Sequence, residues 1–350
     1  MPQLSNAQLA EISLKAENMW SDGQYQADYV AEVEGLRAIR ENQTANIQPL
    51  ADRSKNYEVK VTWLDSSAIA PSNLGNSGGN NCDLDEPEID AKATVYEIDN
   101  FWKDGFSVNE DEVKDSIYSV EELMARGMVD ALNRLDEKVS VVSVGIADTY
   151  SGKNLYPLQY TYNAVTGQTE VPAAEYTKPE FFAYLRQTTI MNRMRNTYII
   201  DSGTLYQDQL IADANSANSD GKGAARLYQS FKIYQDMLGM VQANLTSDLL
   251  LINKGALAFG HKTKYTAAPT EYGGKVNQTR WSVASPNLPG VRYDAYYSLK
   301  CVAPKTAGAK GTAGEETILH TWRFIARFGL WLNPVGFKEG NTGVLSVNKV

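Results

Sequence analysis

The stretch from Ser119 to Val142 limits the fold more than any other part of the chain. Ser119 with Glu122 three residues later is a helix-start signal, and Met124, Met128, Ala131, Leu135, Val139 and Val142 then recur on one face. A helix from Val120 to about Val142 is roughly 35 Å long at about 1.5 Å per residue. An apolar stripe of that length must lie against a sheet or other helices, so the helix is the backbone of a domain. Its methionines read as packing, because Met adapts to irregular gaps. Asn109 with Glu112 is a second start signal just upstream.

On the N-terminal side, Ser5 with Gln8 forms a capping-box pattern that opens an amphipathic helix through Leu9, Ile12, Ala16 and Met19. A weaker helical stretch covers Val30 to Ile39. The interval to Gln48 is polar and too poor in apolar residues for its own core, so it reads as an arm that packs on something else. Tyr57–Leu64 and Ala93–Ile98 alternate with the period of half-buried strands and are expected to pair as a long hairpin. The connection between them, Ser66 to Ile89, is long enough to be functional or disordered. Its acidic end fails as a calcium loop: counting from Asp83, Glu88 and Thr94 stand where Gly and Glu are required.

On the C-terminal side, Leu155–Tyr162 reads as a strand, Thr166–Gly167 as a turn, and Lys178–Pro179–Glu180 as the start of a helix. Thr197–Gly203 is a buried strand closed by a turn. Helical patterns follow at 205–215, 223–230 and Tyr234–Gln242, then a buried strand at Leu249–Ile252, so 181–260 is expected to be a mixed α/β module. Beyond Gly260, strand-like runs rich in Tyr, Trp, Val and Arg appear at Tyr272–Trp281, Tyr293–Val302, Thr317–Phe328 and Thr342–Val347. Such strands suggest surfaces awaiting a partner, since aromatic and Arg side chains are enriched at interfaces.

Chemistry-bearing residues are scarce: the 350 residues hold 2 Cys and 2 His. Cys82 and Cys301 suit a reducing compartment better than a disulfide framework. Met1–Trp20 lacks the apolar core of a signal peptide, no window suits a spanning helix, and the sequons at Asn42, Asn244 and Asn277 read as accidents. The expected product is intracellular, with no membrane partner. Asp220–Gly221–Lys222–Gly223 is not a phosphate loop, because Ser216 and Gly223 fail its anchor positions. Gly308, Gly311 and Gly314 lack the strand a dinucleotide site needs. His261 and His320 are too few for a typical zinc site, and no Gly-x-Ser-x-Gly elbow accompanies His320, which reads as a packed or surface histidine. No catalytic, cofactor-binding or metal residue is assigned, and no cofactor. With 33 Lys plus Arg against 42 Asp plus Glu, the net charge of −9 argues against tight duplex binding.

The order of these parts resembles the major capsid protein of tailed double-stranded DNA phages, whose fold is shared with encapsulins. Three segments are similar to capsid proteins of phages infecting Bacteroidetes-like hosts: Asp220–Ala224, Leu251–Phe259 and Leu288–Asp294. The resemblance implies an α+β fold with an N-terminal arm (1–48), an extended hairpin loop (49–106), a peripheral domain with a long spine helix (107–180), an axial domain (181–260) and strands returning to the peripheral domain (261–350). It implies no enzyme but a structural virion protein, self-assembling into hexamers and pentamers of an icosahedral head around packaged DNA. Portal, a separate scaffolding protein and decoration proteins are the other implied partners; the virion is the implied location, with assembly in the host cytoplasm. Some relatives join subunits through a Lys and an Asn; Lys55, Lys60 and Lys92 lie near the hairpin, nothing selects one, and no crosslink is assigned. Two further readings stay open: an intracellular polymer-degrading hydrolase using Asp/Glu pairs, and a phage tail or connector protein.

Overall fold

A computed structural model describes residues 4–21, 31–49, 58–65, 90–113, 118–203 and 231–272 save a few single positions, then 278–302, 317–334 and 341–350. The chain opens with α1 (Asn6–Ser21) and α2 (Glu34–Asn42), and continues through β1 (Asn46–Pro49), β2 (Glu58–Asp65), β3 (Asp90–Glu97) and β4 (Asn100–Asn109). Short α3 (Glu110–Val113) precedes α4 (Val120–Thr149), after which come β5 (Thr161–Asn163), β6 (Gln168–Val171), α5 (Pro179–Met191) and β7 (Thr197–Asp201). Next are β8 (Lys232–Gln235), α6 (Met237–Gln242), β9 (Leu249–Asn253) and β10 (Leu257–His261). The last strands are β11 (Thr270–Tyr272), β12 (Gln278–Ala284), β13 (Arg292–Val302), β14 (Thr317–Leu332) and β15 (Val344–Lys349).

Helix α4 is the axis the sequence calls for. The Ser119 hydroxyl accepts from the Glu122 amide at 3.1 Å, which fixes its start. At 30 residues it extends about two turns past Val142, to a length of about 45 Å. The β-branched run Val139–Val144 is a poor helix former, but burial of Val144 and Ala147 outweighs that weak local preference.

The strands form three sheets. The first is β1-β2-β3, with β2 and β3 paired antiparallel from Glu58↔Glu97 to Asp65↔Asp90, the hairpin read from the alternation. Its expected connection, 66–89, lies outside the described residues. The second sheet runs β10-β14-β13-β12-β11, with β4 also on β14. The 16-residue β14 is the shared strand, taking β4 and β10 along one edge and β13 along the other. The third sheet, β5-β6-β15-β9-β7-β8, is mostly antiparallel with parallel pairs at β15/β6 and β7/β8. The α+β expectation thus holds. Strand β15 lies in the third sheet beside β9, so the stretch after residue 260 is divided between two sheets.

The main core lies between the inner face of the second sheet and helices α1, α2 and α4. Leu9, Ile12 and Ala16 of α1 and Leu36, Ala38 and Ile39 of α2 are buried in it, so both arm helices pack on the body of their own chain. The capping box forms as expected, with the Gln8 amide donating to the Ser5 hydroxyl at 3.3 Å. A second core lies between the third sheet and α5, through Phe181, Phe182, Leu185, Ile199 and Leu251. The hairpin base packs on the second sheet's outer face, where Val59, Val61 and Trp63 meet Ala258 and Trp331.

Several local expectations change. Leu155–Tyr162 is not a strand: Leu158 takes a φ of 55°, and the Asn154 side chain accepts from the Tyr156 amide at 3.1 Å, so extension begins only at Thr161. Tyr234–Gln242 is not one helix, because β8 runs through Gln235 alongside β7, and Asp236 caps the short α6. Tyr272–Trp281 divides into β11 and β12, which pair with each other. The helical pattern at 223–230, most of that at 205–215, and residues 303–316 lie outside the described residues.

Candidate functional site

The two histidines are far apart and neither is poised for chemistry. His320 on β14 shares a 2.8 Å hydrogen bond between its Nδ1 and the Tyr297 hydroxyl, and its Nε2 is 3.7 Å from Glu110. Burial lowers its pKa, with Glu110 pulling the other way. It is the packed histidine the sequence suggested. His261 lies opposite Phe328, eight residues and so about 26 Å further along the same strand. Burial brings its pKa down to about 4, and the charges of Arg40 and Arg292 act in the same direction, so the ring is neutral at physiological pH. Among the described residues no three His, Cys, Asp or Glu side chains gather as a metal site would require. Cys82 and the Asp220–Gly223 segment lie outside the described residues, and Cys301 sits on β13 opposite Ile318.

Two buried acids adjoin α4, and each has its oxygens occupied by the chain itself. Asp136 accepts from the Ser285 hydroxyl at 2.7 and 2.8 Å, the Asn287 amide at 3.1 Å and side chain at 2.9 Å, and the Tyr293 hydroxyl at 2.5 Å. Burial pushes its pKa up against the opposing pull of these bonds. Asp236, the cap of α6, accepts from the amides of Gly35 at 2.9 Å and Gly239 at 2.7 Å, and more distantly from the Ser140 hydroxyl at 3.5 Å. Its pKa is pushed up to about 7, by burial first and by the charge of Glu32 as well. Glu32 in turn accepts from the Met237 and Leu238 amides at 2.8 and 3.0 Å. Both are structural nodes: the first ties 285–293 to α4, the second ties α2 and α6 to it.

Several apolar side chains are exposed. Helix α6 presents Met237, Leu238 and Val241 to solvent, Val241 with 68% of its surface accessible. The end of α5 exposes Ile190 and Met191. Strand β4 exposes Phe101 and Trp102, the latter under the Lys138 ammonium at 4.4 Å. An apolar cleft opens between α1, α4 and β12, lined by Ala16, Trp20, Met128, Leu132, Val283 and Pro286. These patches lie on different elements and do not converge on one site.

The aromatic strands are not the exposed surfaces the sequence suggested. Trp281, Tyr293, Tyr297 and Trp322 are buried in the chain's own core, with Trp281 and Trp322 edge to face at 5.5 Å between ring centroids. Their strand neighbours Arg280 and Arg323 face the other way, the alternation that a sheet with one covered face produces. Sequence reading missed the apolar face of α6, because it took that segment and β8 for a single helix. The capping signal at Asp236 was the available clue.

The chain is a mixed helix-and-sheet body with a hairpin, a long central helix and several separate exposed apolar patches. Comparison with solved structures finds chains similar to it. It is similar to a chain of the Cyanophage Pam1 capsid asymmetric unit, at 10% identity over 92% of this chain and 93% of that one, with a TM-score of 0.49. A chain of the Cyanophage A-1(L) capsid asymmetric unit is 11% identical over 93% and 95%, with a TM-score of 0.46. A chain from Mycobacterium phage Adephagia is 14% identical over 93% and 92%, with a TM-score of 0.43. No family model matches the sequence, and no curated protein does.

Proposed function

We propose that the chain is a structural virion protein that self-assembles into the icosahedral head of a tailed phage, as hexamers and pentamers around packaged double-stranded DNA. The observation that carries this reading is the order of parts: arm helices, a hairpin, a 30-residue spine helix and a second α/β sheet layer, in the sequence the capsid resemblance implies. The distribution of exposed apolar groups supports it, since a closed shell needs several contacts per subunit pointing in different directions. In this reading α4 with the second sheet forms the peripheral domain and the third sheet with α5 forms the axial one, so β5 and β6 from 107–180 join the axial strands and β10 from 181–260 joins the peripheral ones. A portal, a separate scaffolding protein and decoration proteins complete the particle, which assembles in the host cytoplasm. The three segments resembling capsids of Bacteroidetes-like hosts point to such a host. Negative-stain microscopy of the purified full chain across a concentration series is the test. Shells or capsomer rings are expected, and a monodisperse monomer at every concentration and with crowding agent would overturn the reading.

A further inference from the structure

The second sheet has two unlike faces. One is the aromatic core against α4, and the other carries the residues that alternate with it. The strand registers align that outer face into rows. Arg280, Tyr296, Arg323 and Gly105 face one another across β12, β13, β14 and β4. The next row holds Ser282, Asp294, Ile325 and Lys103. Lys300 stands four residues along β13 from Tyr296, on the same face, and is exposed. The chain as a whole carries a charge of −9, yet in these two rows three cations stand against one carboxylate. That carboxylate, Asp294, is buried and already engaged by the Arg327 guanidinium and by the Lys264 and Tyr265 amides at 2.9 and 3.2 Å. Arg280 is held in place between the Tyr265 and Tyr296 rings, each 5.8 Å from its guanidinium carbon, with a 3.2 Å bond to the Tyr265 hydroxyl.

We infer that this face, with Lys103, Arg280, Lys300 and Arg323 as its contacts, binds the phosphate backbone of double-stranded DNA without regard to sequence. The inference rests on the shell reading and deepens it by naming the surface that meets the genome. Charge complementarity selects the occupant: neighbouring strands are about 4.8 Å apart and successive outward residues about 6.8 Å apart, so the cations form a rigid array on the scale of a phosphate ladder. Between them lie Ser282, Tyr296 and Thr321, with Ile325 as the apolar member of the two rows, a mostly polar composition that suits contact with a polyanion. Of the exposed apolar groups, Phe101 shares this face at its edge, two residues along β4 from Lys103, while those of α5 and α6 stand elsewhere. Net charge alone hides this surface, because the compensating acids lie on other parts of the chain.

The test uses the full chain, a fluorescent random-sequence duplex and anisotropy titrations over a salt series. The probe variant is Lys103→Gln, Lys300→Gln, Arg323→Gln, three exposed positions whose loss spares the core. The control is Lys153→Gln, Lys254→Gln, also exposed cations. The probe variant is expected to bind at least tenfold more weakly at low salt, with a salt slope shallower by about 2.7, since each lost phosphate contact removes about 0.9. The control should stay within twofold, and Arg323→Lys should bind like the parent. Equal weakening in probe and control, or no weakening in either, overturns the inference. So does a probe variant that binds DNA normally but no longer assembles, which would make the face a contact between copies. Microscopy of the same samples separates the two claims: shells with unchanged DNA binding leave the shell reading intact and sink this one, and absence of shells in the parent protein sinks the shell reading whatever the duplex does.

Discussion

Asp136 and Asp236 are both buried carboxylates beside α4, and they are held in opposite ways. Asp136 is surrounded by side chains, the hydroxyls of Ser285 and Tyr293 and the amide of Asn287, all from one stretch of the second sheet. Asp236 is held chiefly by backbone, the amides of Gly35 and Gly239, which approach closely because neither residue has a side chain. A Cβ on Gly35 would stand 2.2 Å from one Asp236 oxygen, and one on Gly239 would stand 2.3 Å from the other. The first arrangement fastens a sheet to the helix through a dense set of donors that travel together. The second joins three separate pieces, α2, α4 and α6, through a carboxylate with few donors, and its proton is correspondingly easier to keep. Burial raises both pKa values, and Asp236, with the charge of Glu32 nearby, reaches about 7.

The dense node is where a single change should cost most. Asp136→Ala would leave the hydroxyls of Ser285 and Tyr293 and both Asn287 donors facing a hole in a dry environment, so a loss of about 3–5 kcal/mol is expected, the scale for breaking a buried polar network by removing one partner. Urea denaturation of the purified chain measures it. A loss below about 1 kcal/mol would mean that solvent or neighbouring groups satisfy those donors, and that the contrast between the nodes is not one of donor density.

The sparse node should reveal itself through pH. Asp236 titrates near 3.8 when unperturbed and near 7 in the folded chain, so the folded state holds a proton that the unfolded state has released across that window. The folded state binds more protons there, hence stability falls as pH rises from about 4 to 7 and levels off above it, with a slope of up to about 1.4 kcal/mol per unit for one group. Asp136 contributes in the same direction, so the informative quantity is the difference between the parent and Asp236→Asn, which removes the titration and keeps an acceptor. Parallel stability profiles for the two proteins between pH 4.5 and 7.5 would show that Asp236 is ionised throughout and that the two nodes behave alike.

What the sequence disclosed follows the range over which each determinant acts. Helix α4, the hairpin strands, α5 and most of the C-terminal strands rest on periodicity and caps within a dozen residues, and they stand where those signals put them. Strand β4 gave no such signal: Phe101, Trp102, Phe106 and Val108 alternate poorly because Trp102 and Asp104 turn toward Lys138 and Arg134 of α4 while neither face of the strand is fully buried. The arm was read as coreless because its apolar residues are few, whereas Leu9, Ile12, Leu36 and Ile39 all find burial against residues more than eighty positions away. The same holds for surfaces. The partners of Asp136 lie 149 to 157 residues along the chain, and the basic face becomes visible only when registers bring Arg280, Arg323 and Lys103 side by side.

The smallest effect concerns the N-cap of α4, which belongs to neither node. Ser119 is exposed and, among the described residues, its hydroxyl serves the Glu122 amide, so Ser119→Ala removes a cap without disturbing the packing of the helix. A loss of about 1 kcal/mol is expected, the usual cost of replacing a Ser cap by Ala. Glu121 and Glu122 in the first turn already favour the helix N-terminus through its dipole, which limits the loss further. Because the cap is about five turns from Asp136, its effect should add to that of Asp136→Ala in the double variant. A double variant markedly less stable than the sum would show that fraying at Ser119 reaches the dense node, and that α4 transmits strain along its length instead of acting as a rigid axis to which each sheet is separately fastened.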